Sequence, residues 1–239
     1  MEKQARSTAQ NRLLASLSEA DRASLQSHFE PVKLRVRQRL QSRNRRVKAI
    51  YFLESGIASV VAIAQGSHVQ AEVGIVGREG MVGLPAILGG ERANSEIFIQ
   101  VEGHGQCIPT EDLLKVMNDR PRILAVFLRY LHVFLVQVSF TALANAHGKI
   151  EERLARWLLM SQDRVGEGEL RLTHEFLALM LGVRRAGVTV ALKQFERKGL
   201  IAAARGAISI RDRNGLEETA HGLYGMPEAE YEKLFPASS

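Results

Sequence analysis

A single cysteine, Cys107, stands in 239 residues. One thiol can form neither an internal disulfide nor an iron–sulfur cluster or thiolate zinc site, each of which needs several thiolates or an added set of histidines. A reducing compartment, the cytoplasm, is the expectation. Apolar targeting segments are equally scarce. Met1 to Arg12 is polar and lacks the apolar stretch of a signal peptide. Only Ile123 to Leu143 suggests a membrane span, and it carries Arg129, His132 and Gln137. A central arginine costs about 2.5 to 3.5 kcal/mol on insertion scales, which argues against a span. Enzyme motifs are missing too. Gly148-Lys149 is followed by Ile150, which a phosphate loop excludes, and His174-Glu175 has Ala178 where a zinc-protease motif needs its second histidine. With no dinucleotide fingerprint after a strand and no nucleophile elbow, neither an enzymatic role nor a cofactor or metal is expected.

What is present is a chain long enough for one large domain or two modest ones, with 46% hydrophobic residues. Lys and Arg number 32 against 26 Asp and Glu, a net charge of +6. Such a balance permits a nucleic acid or an anionic surface as partner. From Pro31 to Pro109 the pattern is that of strands. Val32, Leu34 and Val36 alternate with Lys33, Arg35 and Arg37, and further runs lie at Ala49 to Leu53, Ile57 to Ala64, Val69 to Val76 and Glu96 to Val101. Glycines between these runs suit short strands of an antiparallel barrel or sandwich. Lys33 to Lys48 holds eight basic residues and no acid, a solvated strand face or a contact for DNA, polymerase or an anionic effector. Cys107, at a strand end, reads as a small buried hydrophobe.

After Thr110 the period changes. Leu124, Leu128, Leu131, Leu135, Val138 and Ala142 form an a/d seam of about three heptads, beside a second stripe of Ile123, Phe127, Tyr130 and Phe134. One stripe fits the β-module. The other fits the same helix of a second subunit in a two-fold dimer, the alternative being the core helix of a monomer. A hinge at His147 to Lys149 leads to an amphipathic helix, Ile150 to Asp163. Then come a strand at Leu170 to Leu172, helices at Thr173 to Leu181 and Arg184 to Lys198 joined at Gly182, and a ribbon Leu200 to Arg211 turning at Arg205-Gly206. An acidic stretch expected to form short surface helices closes the chain. The units implied are 12–118, 119–147, 150–215 and 216–239.

Helix, glycine turn and helix followed by a ribbon is the spacing of a winged helix-turn-helix. Thr173 is placed to cap the first helix. On the second, Ala186, Thr189, Val190 and Lys193 are left facing outward, with Arg184 and Arg185 at the start, where a recognition helix meets base edges in the major groove. Arg184, Arg185, Lys193, Arg197, Lys198 and Arg205 face one acid, Glu196, so phosphates fit here. The candidate DNA contacts are thus Thr173, Arg184, Arg185, Thr189, Lys193 and Arg205.

The run Leu172-Thr173-His174-Glu175-Phe176-Leu177-Ala178-Leu179-Met180-Leu181-Gly182-Val183-Arg184-Arg185-Ala186-Gly187-Val188, with Leu192, Phe195-Glu196, Gly199-Leu200-Ile201 and Ile208 to Ile210, resembles the winged helix of the Crp/Fnr family of bacterial transcription regulators. Ile50-Tyr51-Phe52-Leu53-Glu54-Ser55-Gly56, Val76-Gly77-Arg78-Glu79-Gly80-Met81-Val82-Gly83-Leu84 and Cys107-Ile108-Pro109 are similar to that family's cyclic-nucleotide-binding-like β-roll. The resemblance spans about residues 12 to 215. It implies an α+β chain: an antiparallel β-roll of the double-stranded β-helix or jelly-roll type, a long dimerisation helix and a C-terminal winged helix-turn-helix. It also implies a homodimer reading a pseudo-palindromic operator in double-stranded DNA, with RNA polymerase as a further partner. Members that bind cyclic AMP have a Gly-Glu pair for the ribose and an Arg-Ser pair for the phosphate. Here Gly83-Leu84 and Arg92-Ala93 stand nearest to them. A leucine cannot accept a ribose hydrogen bond, so control by cyclic AMP is not expected, and Gly83, Leu84 and Arg92 are candidates for a different effector pocket. The competing reading is a ligand-sensing module that acts through protein contacts without sequence-specific DNA binding.

Overall fold

The computed structural model describes residues 11–66, 69–166, 168–204 and 206–236. Two short helices, α1 (Arg12–Ala15) and α2 (Glu19–Gln26), open it. Ser18 separates the two and starts the second, its hydroxyl accepting from the Asp21 amide at 3.1 Å. Six strands follow: β1 (Glu30–Leu34), β2 (Arg39–Gln41), β3 (Ala49–Leu53), β4 (Ile57–Ile63), β5 (Gln70–Val76) and β6 (Met81–Val82). After the single-turn α3 (Leu84–Ile87) come β7 (Glu96–Val101) and β8 (Gly103–Pro109). They form two antiparallel four-stranded sheets in the orders β1-β8-β3-β6 and β2-β7-β4-β5. Leu34, Leu53, Val60, Val76, Val82 and Ile99 pack between the sheets. The expected antiparallel β-module is therefore present, with short β2 and β6 that composition did not reveal.

Helix α4 (Thr110–Asp119) ends before Pro121, where the 27-residue α5 (Pro121–His147) begins. Its Ile123, Phe127 and Tyr130 are buried in a core shared with Leu13, Phe52 and Ile108, as the second apolar stripe requires. By length and composition alone α5 could also cross a membrane. Gly148 turns the chain into α6 (Ile150–Val165), then α7 (His174–Leu181), α8 (Arg185–Arg197), β9 (Ile201–Ala204) and β10 (Ala207–Ile210). Finally α9 (Arg213–Ala220) and α10 (Met226–Leu234) close the fold.

These last helices are not a surface covering. Leu216 and Ala220 of α9 belong to the winged-helix core, and Tyr231 and Phe235 are buried in the core beneath α5. Apolar residues at helical spacing outweigh the acids that dominate the composition there. Helix α9 also spans the boundary drawn at residue 215.

β5 is an edge strand, and an edge strand's unpaired amides and carbonyls need partners. Gln137 of α5 supplies both: its Oε1 accepts from the Ile75 amide at 2.6 Å and its Nε2 donates to the Ile75 carbonyl at 3.2 Å. Gly74 makes this approach possible, since a Cβ there would lie 2.8 Å from Gln137 Oε1. On the same strand Glu72 accepts from Trp157 Nε1 of α6 at 2.7 Å. Just beyond β5, Glu79 pairs with the buried Arg164 of α6 at 2.8 Å. The roll, the long helix and the winged helix thus meet on one strand.

Burial pushes the Glu72 carboxyl up from its ordinary 4.5 to about 7, against smaller opposing effects from Ser59, Trp157, Arg156 and Arg164. A carboxyl that titrates higher in the folded chain than in the unfolded one binds more protons when folded. Its contribution is complete below about pH 4.5 and is lost as the pH rises to about 7, on the order of 3 kcal/mol in all. Glu72→Gln keeps an acceptor for Trp157 and removes the titration. Denaturant unfolding at pH 5 and 7.5 is expected to show the native chain weakening across this interval and the variant weakening much less.

Candidate nucleic-acid interface and effector cavity

Thr173 ends an extended segment and caps α7, its Oγ1 accepting from the Phe176 amide at 3.2 Å. Gly182 adopts φ +61°, the left-handed conformation that ends α7 and aims α8 across it. Leu177, Ala178 and Leu181 of α7 pack with Val188, Ala191, Leu192 and Phe195 of α8, all buried, while Met180 is buried outside that cluster and Phe176 is only half-buried. The opposite side of α8 is open. Arg184, Arg185, Ala186 and Lys193 are exposed, as is Val190 at 53%. Arg184, Arg185 and Lys193 form no ion pair among the described residues. The one acid of this stretch, Glu196, is turned to the ribbon and accepts from the Ala203 amide at 3.3 Å. The positive charge along α8 is therefore uncompensated.

Thr189 is less free than its spacing suggests. Its hydroxyl donates to the Arg185 carbonyl at 3.1 Å and lies 3.0 Å from His174 Nδ1, which ties α8 to α7. His174 escaped the sequence reading because only the folded hairpin brings it to Thr189. Thr173 is exposed at the rim of a cleft shared with Arg37 and Arg39 of the roll. Arg205 lies outside the described residues.

Residues 152–219 match the Crp-like helix-turn-helix domain. The C-terminal unit is a Crp-like helix-turn-helix domain. No curated protein matches the chain. Among solved structures it is similar to the following three. CLP of Xanthomonas campestris, described as a c-di-GMP-responsive global regulator, is 19% identical over 81% of this chain and 99% of its own, TM-score 0.65. A CRP-family transcriptional regulator from Thermus thermophilus is 21% identical over 80% and 97%, TM-score 0.66. FixK2 of Bradyrhizobium japonicum is 15% identical over 82% and 98%, TM-score 0.68. At such identities the likeness shows the fold, which these structures share over most of this chain, the β-roll and α5 included.

In the roll, Gly83 at φ +115° starts α3 and Leu84 follows. Both line a cavity of about 340 Å³ with Val60, Val73, Met81, Ile97 and, from α5, Leu131, Phe134 and Leu135. Among the described residues, none that lines it is charged. Arg92 does not line it, which corrects the expected grouping. It is exposed on the outer surface, where its Nη1 donates to the Asn44 carbonyl at 2.8 Å and its backbone bridges Arg46. The loop carries Ala93 into the core and so turns its neighbour outward.

The a/d seam of α5 remains largely uncovered. Leu128 and Leu135 are 44% and 54% exposed, and Leu143 beside the seam is 44% exposed. Leu124, Leu131 and Val138 are half-buried and Ala142 is exposed. Most of the basic run Lys33 to Lys48 is exposed as well, with Arg39 paired to Glu96 at 3.3 Å and Arg46 to Glu111 at 3.8 Å. Cys107 is half-buried, and burial pushes its thiol up, away from the reactive thiolate.

Proposed function

We propose that this chain is a DNA-binding transcription regulator of the Crp/Fnr type. It acts as a cytoplasmic homodimer on a pseudo-palindromic operator, without catalytic activity and without control by cyclic AMP. The observation that carries the reading is the open, cationic face of α8 behind a capped helix and a left-handed glycine turn. Arg184 and Arg185 at its first turn are set to meet base edges, and Lys193 meets phosphate. Thr173, Thr189 and Arg205 complete the proposed contacts. Thr189 contributes its methyl group, because its hydroxyl is already engaged. RNA polymerase is the proposed protein partner. The α5 seam supplies the dimer interface: Leu128 and Leu135, exposed to water on a helix whose Ile123, Phe127 and Tyr130 are buried, are stabilised by an identical face.

Arg185→Ala is expected to cost about 1 to 3 kcal/mol on a site selected from random DNA and to relax preference at one position per half-site. Lys193→Ala should weaken all sequences alike and flatten the salt dependence. These outcomes are read from binding titrations at several salt concentrations. Failure of the native protein to bind any duplex at low salt would favour a module that signals through protein contacts alone.

Leu128→Glu places a carboxylate in the seam twice per dimer, so sedimentation should find monomers. An unchanged dimer would move the interface off α5. The uncharged cavity offers a cyclic phosphate no counter-ion. Calorimetry with cyclic AMP and cyclic GMP should therefore register no binding, and neither nucleotide should change DNA affinity.

A further inference from the structure

The roll cavity has one feature that neither closing it off nor rejecting nucleotides explains. Gln41 lines it and is 5% exposed. Its Nε2 donates to the carbonyl and hydroxyl oxygens of Ser95 at 3.3 and 3.2 Å, which fixes the amide's orientation. Its Oε1 is left buried with no hydrogen-bond partner among the described residues, the only such side-chain atom among those of them that line the cavity. The backbone beside it is irregular. Strand β2 pairs with β7 through Arg39 opposite Phe98 and Gln41 opposite Ile97, so Leu40 is an extra residue in the ladder. A bulge of this kind re-aims the residues beside it and recurs next to binding sites. A buried acceptor without a donor is costly, and such groups in native folds call for a missing partner.

We infer that the cavity binds a small uncharged molecule that is apolar over most of its surface and donates one hydrogen bond, to Gln41 Oε1. The walls set the rest of the chemistry. Val60, Val73, Met81, Leu84, Ile97 and Phe134 are apolar, and the other polar residues, Asn94 and Ser95, bring no charge. A carboxylate or phosphate entering here would lose its hydration with nothing in return. The volume, about 340 Å³, is near the lower end of small-molecule sites. At the roughly 30 Å³ that a water occupies, it holds on the order of ten non-hydrogen atoms. Leu131 and Leu135 line the cavity and also lie on the α5 seam, so an occupant would touch the helix through which the proposed dimer forms. The inference names the effector class for the regulator proposed above, but its test needs no DNA.

The probes are 4-propylphenol, 4-propylanisole and 4-propylbenzoate, each titrated into the full chain by calorimetry. All three share one apolar body. The phenol donates a hydrogen bond, the methyl ether cannot, and the benzoate is charged. The phenol is expected to bind at least tenfold tighter than the ether, with no binding of the benzoate. Gln41→Met, of similar volume but lacking the acceptor, should bring phenol and ether to equal affinity by weakening the phenol alone. Equal affinities for phenol and ether in the native chain, tightest binding of the benzoate, or no binding of any probe at millimolar concentration would each overturn the inference. So would a Gln41→Met chain that keeps the phenol preference. If that variant fails to fold, the comparison of phenol with ether on the native chain decides alone. A native chain that binds the phenol as expected but binds no DNA would remove the regulator reading and leave this site standing.

Discussion

The fold turns on how one edge strand is satisfied. β5 has a single strand neighbour, and its outer groups would otherwise be free to pair with another chain. A helix rather than a strand closes that edge. Gln137 mimics a peptide group toward Ile75, and Gly74 removes the side chain that would keep the helix away. Because α6 follows α5 after only Gly148 and Lys149, fixing Gln137 also fixes where the Crp-like domain lies. Glu72 and Glu79 then hold α6 through Trp157 and Arg164.

Buried polar groups dominate this junction, and Arg156 makes the most bonds among them. Arg156 of α6 donates to the carbonyls of Leu223 and Gln137 and to the Thr141 hydroxyl, at 3.0, 3.3 and 3.2 Å. Burial holds its guanidinium down to about 10, with Glu228 and Glu72 opposing. An arginine so placed satisfies helix carbonyls and the C-terminal segment at once, which is why residues beyond 215 pack into both cores. The cavity borders the same helix: Phe134 and Leu131 line it within two turns of Gln137. Ligand, dimer partner and DNA-reading domain would thus all act on α5, a short path for coupling between sites.

Patterns confined to neighbouring residues were legible in the sequence. The a/d seam of α5, the cap at Thr173, the turn at Gly182 and the outward face of α8 follow from helical period and local backbone chemistry, and all are where the spacing places them. Pairings that close only in three dimensions were not. Gln137 meets Ile75 across 62 residues and Trp157 meets Glu72 across 85. Gln41 lines the cavity beside a bulge that no composition signals. The error at Arg92 has the same origin. Its distance along the chain from Gly83 fits a shared pocket, but burial of Ala93 decides which way the loop faces.

The central claim is that two copies of α8, related by a two-fold axis through α5, read DNA. Mapping the sites this protein occupies across a bacterial genome tests it most directly. The account predicts an enriched pseudo-palindrome whose half-sites are centred about one helical turn apart, roughly 34 to 36 Å. A direct repeat, a single half-site or no enriched motif would contradict it.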